Sequence, residues 1–205
     1  MELKVIAHIQ NNFKEKFGIP RQSGISGDNR SVIIFEREYR DDNALRGIEE
    51  YSHLWLIWHF SQNMKSGWSP TVRPPRLGGN KRMGVFATRS PYRPNPIGLS
   101  SVKLCGVRKT KEHGMVLDVY GADLADGTPI FDIKPYLAFT DNHPDAVCGF
   151  ADEVFENNIR VLFPDNFNTM FPARWLNELE SILSQNPKPS YQNNYGRIYG
   201  MKYGE

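Results

Sequence analysis

Two runs in the middle of the chain decide its fold class: SVKLCGV at residues 101–107 and MVLDVY at residues 115–120. Both have the length of a strand and are rich in residues that favour β structure. They flank a short polar segment, which is typical of a turn. Together they predict an antiparallel hairpin.

Similar short runs occur along the first two thirds of the sequence, each bounded by Gly, Pro, Asn or Asp. They are Leu3 to Ile9, Ser31 to Phe35, His53 to Phe60 and Met83 to Ala87. Helical signals are few, although Asp42 to Tyr51 has room for two or three turns. Residues 1–145 therefore predict a mainly β domain, an antiparallel β-barrel or closed sheet.

The last quarter of the chain has a different pattern. Asn158 to Phe163 predicts a strand, and Pro172 followed by ARWLNELESILSQ predicts a helix with proline in its first turn. The apolar residues of this helix form one stripe, which is typical of core packing. They are Trp175, Leu176, Leu179, Ile182 and Leu183. Residues 150–205 thus predict a small α+β appendage.

Charge is unevenly distributed, although the net charge is only +2. Between Tyr51 and Lys111 there is no Asp or Glu but there are eleven Lys and Arg residues, six of them from Arg73 to Arg93. From Glu112 onward, fourteen acidic residues face six basic ones. Two roles stay open. The basic stretch pairs with the acidic C-terminal third, or it binds an anion such as a phosphate backbone.

Several classes of protein are disfavoured by composition and motifs. No apolar run reaches the roughly 18 residues that span a bilayer, and the N-terminus lacks the layout of a signal peptide, so we expect a cytoplasmic protein. The histidines form no HExxH pattern and no thiolate cluster exists, so no metal site is expected. P-loop, Rossmann and Gly-x-Ser-x-Gly motifs are absent. We expect Cys105 and Cys148 to be reduced and mostly buried.

One segment, RSPYRPNPIGLS at residues 89–100, has the composition of a rigid loop. Three prolines fix φ and remove three backbone donors, and Gly98 permits an exit that other residues take only at a cost. Rigidity would present Arg89, Arg93 and Asn95 at small entropic cost, which suits a binding site. A proline-rich connection between strands is the structural alternative.

A second unusual segment is DLADGTPIFDIKPY at residues 123–136. Its Asp126-Gly127 pair predicts a turn, and its three carboxylates follow a basic stretch. Alone, either segment indicates no more than a binding site.

Together with other motifs, these segments resemble the TsaA-like family. The matching motifs are Pro20-Arg21-Gln22, Gly47-Ile48-Glu49, Ser52-His53-Leu54-Trp55, RPPRLGG, GVFATRSPYRPNPIGLS and DGTPIFDIKPY, with NPKPSYQ matching more loosely. The match keeps its order and spacing from about residue 3 to residue 140. It implies an antiparallel β-barrel, a homodimer, and an S-adenosylmethionine-dependent enzyme. Such an enzyme methylates N6 of threonylcarbamoyladenosine beside the anticodon of tRNA.

The resemblance also implies which residues contact the cofactor. Carried over motif by motif, they are Pro20, Arg21, Gln22, Ser61, Gln62, Arg89, Leu99, Asp123, Leu124, Ala125 and Asp126. At Ser61-Gln62 this chain has WHFSQN where the family commonly has an aromatic strand ending in His-Gln. The appendage of the family usually extends further than this chain, so its last strand is expected to be missing here.

Three residues are predicted to be catalytic: Asp126, Asp132 and Arg93. Methyl transfer from a sulfonium is an in-line displacement, which holding both reactants in place accelerates. Asp126 is expected to face the cation, and either Asp126 or Asp132 to take the N6 proton. Arg89 or Arg93 would stabilise charge on the carbamoyl oxygen or pair with the substrate carboxylate. The basic loop from Arg73 to Arg93 would meet the anticodon-loop phosphates.

Two alternatives stay open at the level of sequence. A non-enzymatic RNA-binding β-barrel would account for the basic stretch and the scattered aromatic residues, and it would bind RNA without a cofactor. A methyltransferase of the same family with another acceptor, a different adenosine or a small molecule, would keep the cofactor.

Overall fold

Strands with alternating apolar and polar residues are the main regular elements of the protein, as a computed structural model shows for residues 2–26, 29–77, 81–154, 159–188, 194 and 196–204. The strands in these residues are β1 (Ala7–Gln10), β2 (Arg30–Phe35), β3 (His53–His59), β4 (Thr71–Val72), β5 (Met83–Gly84), β6 (Ile97–Thr110), β7 (Gly114–Tyr120) and β8 (Pro129–Pro135). The α-helices are α1 (Ala138–Asp141), α2 (Phe167–Met170) and α3 (Ala173–Ser184). The predicted mainly β architecture is confirmed.

Six strands form one antiparallel sheet in the order β1-β2-β7-β6-β3-β8, and β8 pairs back with β1, so that the sheet closes as a barrel. Side chains alternate between the two faces of each strand, so every second side chain packs inside the barrel. In β3, for example, Leu54, Leu56 and Trp58 are buried while the residues between them are partly exposed. A closed sheet leaves no free edge along these six strands. The short strands β4 and β5 pair separately.

The predicted hairpin is confirmed as β6 and β7, which meet at Thr110 and Gly114. Strand β6 begins at Ile97, however, so residues 97–100 of the proline-rich segment belong to a strand and only residues 89–96 form the loop. Strand β8 is not among the predicted runs. Its Pro129 is the first residue of the strand, a place where proline costs no ladder hydrogen bond.

Within the first 145 residues, several predicted elements differ from the structure in type or extent, and so does one predicted burial. The run from Met83 to Ala87 is a two-residue strand followed by a 3-10 turn at Val85–Ala87. The helix predicted from Asp42 to Tyr51 is instead two 3-10 turns, Asp42–Leu45 and Ile48–Glu50. Both cysteines are exposed, so the expectation that they are mostly buried is wrong.

The C-terminal helix is confirmed as α3, preceded by Pro172, with Leu176 and Ile182 buried. The strand predicted from Asn158 to Phe163 is wrong for residues 159–163, and Asn158 lies outside the described residues. Strands need a neighbour, and the closed sheet offers none here. The Ile159 amide instead donates to the Ser184 carbonyl oxygen at 2.7 Å.

Helix α3 packs against the N-terminal segment through its buried face. The Tyr203 ring lies between Phe13 and Trp175, and its hydroxyl donates to Glu178. Burial, then the hydrogen bond with Glu178, raises the pKa of Tyr203, so this phenol stays protonated. In the part of the chain that is described, no helix has the length and hydropathy of a membrane span.

Candidate active site

A cavity of about 500 Å³ opens beside the end of β3 and the start of β6. This volume suits a small organic ligand. Ten residues that the sequence predicted for the site line it: Pro20, Arg21, Gln22, Ser61, Gln62, Arg89, Arg93, Leu99, Asp123 and Ala125. Fold geometry thus brings together segments that are up to about a hundred residues apart. Their contact with a cofactor stays a prediction.

At the base of the cavity, a chain of hydrogen bonds fixes one carboxylate. The indole Nε1–H of Trp58 donates to Ser100 Oγ at 2.9 Å, and the Ser100 hydroxyl donates to Asp123 Oδ1 at 2.5 Å. Burial raises the pKa of the Asp123 carboxyl, and the bond from Ser100 and the charge of Arg89 oppose this shift only in part. Asp123 is therefore oriented, half-buried and a stronger base than an exposed carboxylate.

Sequence reasoning missed Trp58 and Ser100 as site residues. Both alternate into the sheet interior, and Trp58 lies directly opposite Gly98 in the β3–β6 register. A Cβ atom at Gly98 would stand 2.2 Å from the indole ring. Gly98 is thus required for space and not for a backbone exit. A tryptophan and a glycine on partner strands were the signal that could have identified this contact.

Two arginines that line the cavity, Arg89 and Arg93, donate hydrogen bonds to neutral groups. Arg89 donates to the side-chain oxygen of Gln22. Arg93 donates to the carbonyl oxygens of Val85 and Thr88, at 3.1 and 2.6 Å. It thereby fixes the turn that precedes Arg89. Neither guanidinium forms an ion pair within the described residues, so their charge is available to an anionic ligand.

Arg21 connects the cavity to the C-terminal region. Its guanidinium donates to three successive carbonyl oxygens after the end of α3, those of Asn186, Pro187 and Lys188, at 3.3, 3.3 and 3.1 Å. These three carbonyl groups lie beyond the end of α3, so the bonds from Arg21 hold the segment that follows the helix. The segment that follows α3 therefore lies against one wall of the cavity.

Leu124, Asp126 and Asp132, all predicted site residues, do not line the cavity. Leu124 is fully buried in the core because it alternates with Asp123, which faces the cavity. Asp126 accepts from the Asn11 amide and forms an ion pair with Lys14, both at 2.9 Å.

Asp132 lies on β8 beside Ile57 and forms an ion pair with Lys134 at 2.9 Å. Both Asp126 and Asp132 are thus neutralised by a lysine. The catalytic roles expected of them stay predictions.

Ion pairs are few in the described part of the basic stretch. Among the described side chains, only Arg108 and Lys109 of its eleven cations form ion pairs, with Asp118 and Asp42. The described carboxylates of the acidic C-terminal third therefore form no ion pair with the described cations from Arg73 to Arg93. The side chains of Lys65 and Arg76 lie outside the described part. Ion pairs with the acidic C-terminal third therefore do not explain the positive charge of this segment, and the other role, binding of an anion, is favoured.

Metal ligands are not assembled in this structure. Among the described residues, no group of three or more His, Cys, Asp or Glu side chains is placed to hold a metal ion.

Fold and cavity together define a closed antiparallel β protein that encloses a small-molecule site and presents unpaired positive charge beside it. Residues 8–142 match the family model of the tRNA-methyltransferase O N-terminal domain. The chain belongs to this family, and the family resemblance found in the sequence is confirmed.

Relatives of known name support the same assignment. A protein of Escherichia coli K12 named tRNA (adenine(37)-N6)-methyltransferase is 41% identical over 209 residues, which cover 98% of this chain and 87% of the relative. A Pseudomonas aeruginosa protein named putative S-adenosylmethionine-dependent methyltransferase RcsF is 39% identical over 206 residues, covering 96% and 86%. The crystal structure of TrmO from Pseudomonas aeruginosa matches with a TM-score of 0.76 and 32% identity, covering 99% of this chain and 88% of that one.

Proposed function

We propose that this protein is an S-adenosylmethionine-dependent tRNA methyltransferase that modifies N6 of threonylcarbamoyladenosine next to the anticodon. Family membership and the names of the relatives support the reaction class. The observation that carries the proposal is the cavity itself, which joins a fixed carboxylate, two arginines without ion pairs and an apolar wall.

The residues of the cavity fit S-adenosylmethionine. Ile97 and Leu99 provide exposed apolar surface for a purine, with exposed fractions of 37% and 56%. Arg89 provides positive charge for a carboxylate, and Asp123 provides negative charge for cationic groups. When bound, S-adenosylmethionine supplies an electrophilic methyl group on a positively charged sulfur.

Asp123 takes the role of general base in this proposal. The N6 atom must lose its proton at or before attack because its lone pair is delocalised into a carbonyl group and the purine. Burial raises the pKa of Asp123, which brings its basicity closer to the working pH. The Ser100 hydroxyl donates to Oδ1 and thereby fixes the orientation of the carboxylate that receives the proton. This assignment replaces Asp126 and Asp132, which lie outside the cavity lining.

Arg89 stabilises the negative charge that develops on the carbamoyl oxygen, or pairs with the threonyl carboxylate. Its side-chain hydrogen bond is to the neutral Gln22, and it forms no ion pair within the described residues. Arg93 supports Arg89 by fixing the turn before it. The exposed cations Arg73 and Arg82 then meet the phosphates of the anticodon loop.

We also propose roles for the two regions of the chain. Residues 1–145 bind the cofactor, and the appendage of residues 150–205 supports the cavity wall through Arg21. We further propose a cytoplasmic homodimer. Sedimentation velocity tests the dimer, and a single species with the mass of one chain at micromolar concentration would contradict it.

The decisive test is methyl transfer from labelled S-adenosylmethionine to two tRNA preparations, with and without the threonylcarbamoyl group. Label is expected only in the modified tRNA, as N6-methyl-threonylcarbamoyladenosine. Cofactor binding with label in another nucleoside or a small molecule would establish a different acceptor. RNA binding without cofactor binding would support the non-enzymatic alternative and end this proposal.

A further inference from the structure

Three aromatic side chains are exposed on the chain excursion between β3 and β6. Trp68, Phe86 and Tyr92 have exposed fractions of 57%, 74% and 39%. Large aromatic residues usually bury most of their surface, because each removes 150–250 Å² from water. An exposed group of them beside a cavity therefore indicates a partner. We call Trp68, Phe86 and Tyr92 the aromatic platform.

Backbone hydrogen bonds connect the chain segments that carry the three rings of the platform. The Ser69 amide donates to the Tyr92 carbonyl oxygen at 3.1 Å, and the Val85 amide donates to the Pro70 carbonyl oxygen at 3.0 Å. Pairing of β4 with β5 continues this arrangement. The segment that follows Trp68 is thus hydrogen-bonded both to Tyr92 and to the residue before Phe86.

Local packing explains why Phe86 faces outward. Val85, directly before it, is 1% exposed and anchors the turn. Arg93 then reaches across to the Val85 carbonyl oxygen and lies 5.6 Å from the centre of the Phe86 ring. The ring is supported by a cation on one side and remains largely open to solvent.

The charges around the platform identify the chemistry of its partner. Arg73, Lys81 and Arg82 are exposed and form no ion pair within the described residues. Aromatic rings combined with unpaired cations are how proteins bind single-stranded nucleic acid, since the rings stack on bases while the cations follow the phosphates. A purely apolar partner would bind the rings but would gain nothing from the cations.

We propose that the aromatic platform stacks on unpaired bases of the RNA next to the adenosine that enters the cavity. This inference rests on the proposed tRNA substrate and adds the contact that holds its loop open. The platform adjoins Thr88 and Arg89, which line the cavity, so stacked neighbours would position the acceptor nucleotide. RNA recognition commonly uses unstacked loop bases in this way.

Single substitutions Trp68→Leu and Phe86→Leu test the platform, because leucine keeps apolar volume and removes the stacking face. Phe139→Leu is the matched control: this phenylalanine is 86% exposed and belongs to α1, outside the excursion between β3 and β6. Phe86→Trp restores an aromatic face. The probe is a threonylcarbamoylated anticodon stem-loop RNA with 2-aminopurine beside the acceptor adenosine, whose fluorescence falls on stacking.

We expect each leucine variant of the platform to bind the RNA roughly five- to fiftyfold more weakly. Fluorescence quenching should shrink, while the salt dependence of binding and the affinity for S-adenosylmethionine stay unchanged. Phe86→Trp should retain affinity, and Phe139→Leu should match wild type. Unchanged affinity and quenching in both leucine variants would overturn the inference.

Two further outcomes distinguish base stacking from self-association and from the methyl-transfer reaction. If Phe86→Leu converts a dimer to a monomer in sedimentation velocity and RNA binding falls only for that reason, the platform contacts a second copy of the chain and the inference is wrong. If wild type transfers no methyl group to tRNA but the platform still quenches the RNA probe, the proposed function fails while the stacking contact survives.

Discussion

Charged side chains have different partners on the closed sheet and around the cavity: ion pairs in the first case and neutral groups in the second. On the closed sheet, Asp118 accepts from Arg30 and Arg108 at 3.0 and 2.7 Å, and in the loop between β7 and β8 Asp126 pairs with Lys14. At the cavity, Asp123 is bonded to a serine hydroxyl and Arg89 to a glutamine amide.

The difference separates charges that serve the fold from charges that serve a ligand. Burial opposes ionisation of Asp118, but its hydrogen bonds with Arg108 and Arg30 outweigh this and lower its pKa. Burial of Asp123 is offset only in part, by the bond from Ser100 and the charge of Arg89, and its pKa is raised. A carboxylate kept at a cost to stability is typical of a functional site.

The sharpest test of this comparison replaces one carboxylate of each kind, Asp123 at the cavity and Asp126 in its ion pair with Lys14. Asp123→Asn should reduce turnover on tRNA about a hundredfold or more, the size of a general-base contribution. Asp126→Asn should reduce it less than threefold, since Lys14 already neutralises that group. Steady-state methyl transfer measures both. A larger loss in Asp126→Asn would return the role of base to that residue.

A second prediction concerns the space that Trp58 requires. Gly98→Ala places a methyl group within the indole ring, so Trp58 must move and release Ser100. Overpacking of this kind should lower the free energy of unfolding by about 1–3 kcal/mol. Gly106→Ala is the control on the same strand, because nothing lies within 4 Å of its new Cβ. Denaturant unfolding compares them, and equal stabilities would show that the indole adapts freely.

Unpaired cations of the excursion supply the third prediction. The double substitution Arg73→Gln with Arg82→Gln should weaken tRNA binding and reduce the slope of log affinity against log salt by about 1.5. Arg108→Gln should leave this slope unchanged, because Arg108 serves Asp118. Filter binding at several salt concentrations measures both slopes. Equal slopes in wild type and the double variant would contradict phosphate contact.

The smallest expected effect is on stability as a function of pH, with opposite signs for the two carboxylates. Asp118 has a lowered pKa in the folded state, so it stabilises the protein above the ordinary aspartate value of 3.8, and this is lost as pH falls through the folded-state pKa. Asp123 has a raised pKa, so stability decreases as pH rises from 3.8 through the folded-state pKa.

The Asp118 dependence should be about 1 kcal/mol or less, because the arginines that pair with it are half exposed. Asp118→Asn and Asp123→Asn should remove one dependence each in urea titrations from pH 3 to 7. Identical pH profiles for the two variants would show that the environments do not differ as described.

Local patterns made much of this structure predictable. The hairpin followed from two strand-length runs, and α3 followed from its apolar stripe and Pro172. The loop at residues 89–96 followed from its prolines. These features depend on neighbours in sequence, which a pattern can capture.

Register and long-range pairing account for what was missed. Asp123 and Asp126 are equally acidic in sequence, and only the fold shows that one faces the cavity and the other faces Lys14. Ser100 and Trp58 are 42 residues apart, and they meet because β3 and β6 pair in one particular register. The strand predicted near residue 160 failed for the same reason, since a strand pattern does not supply a neighbour.

Calorimetric titration with S-adenosylmethionine tests the central claim most directly, using wild type, Leu99→Arg and Ile198→Arg. Leu99 lines the cavity and is 56% exposed, so an arginine there fills the site without entering the core. Ile198 is 94% exposed and is not part of the lining. We predict that wild type and Ile198→Arg bind one cofactor per chain, whereas Leu99→Arg remains folded and binds none. Undiminished binding by folded Leu99→Arg, or no binding by folded wild type, would contradict the account.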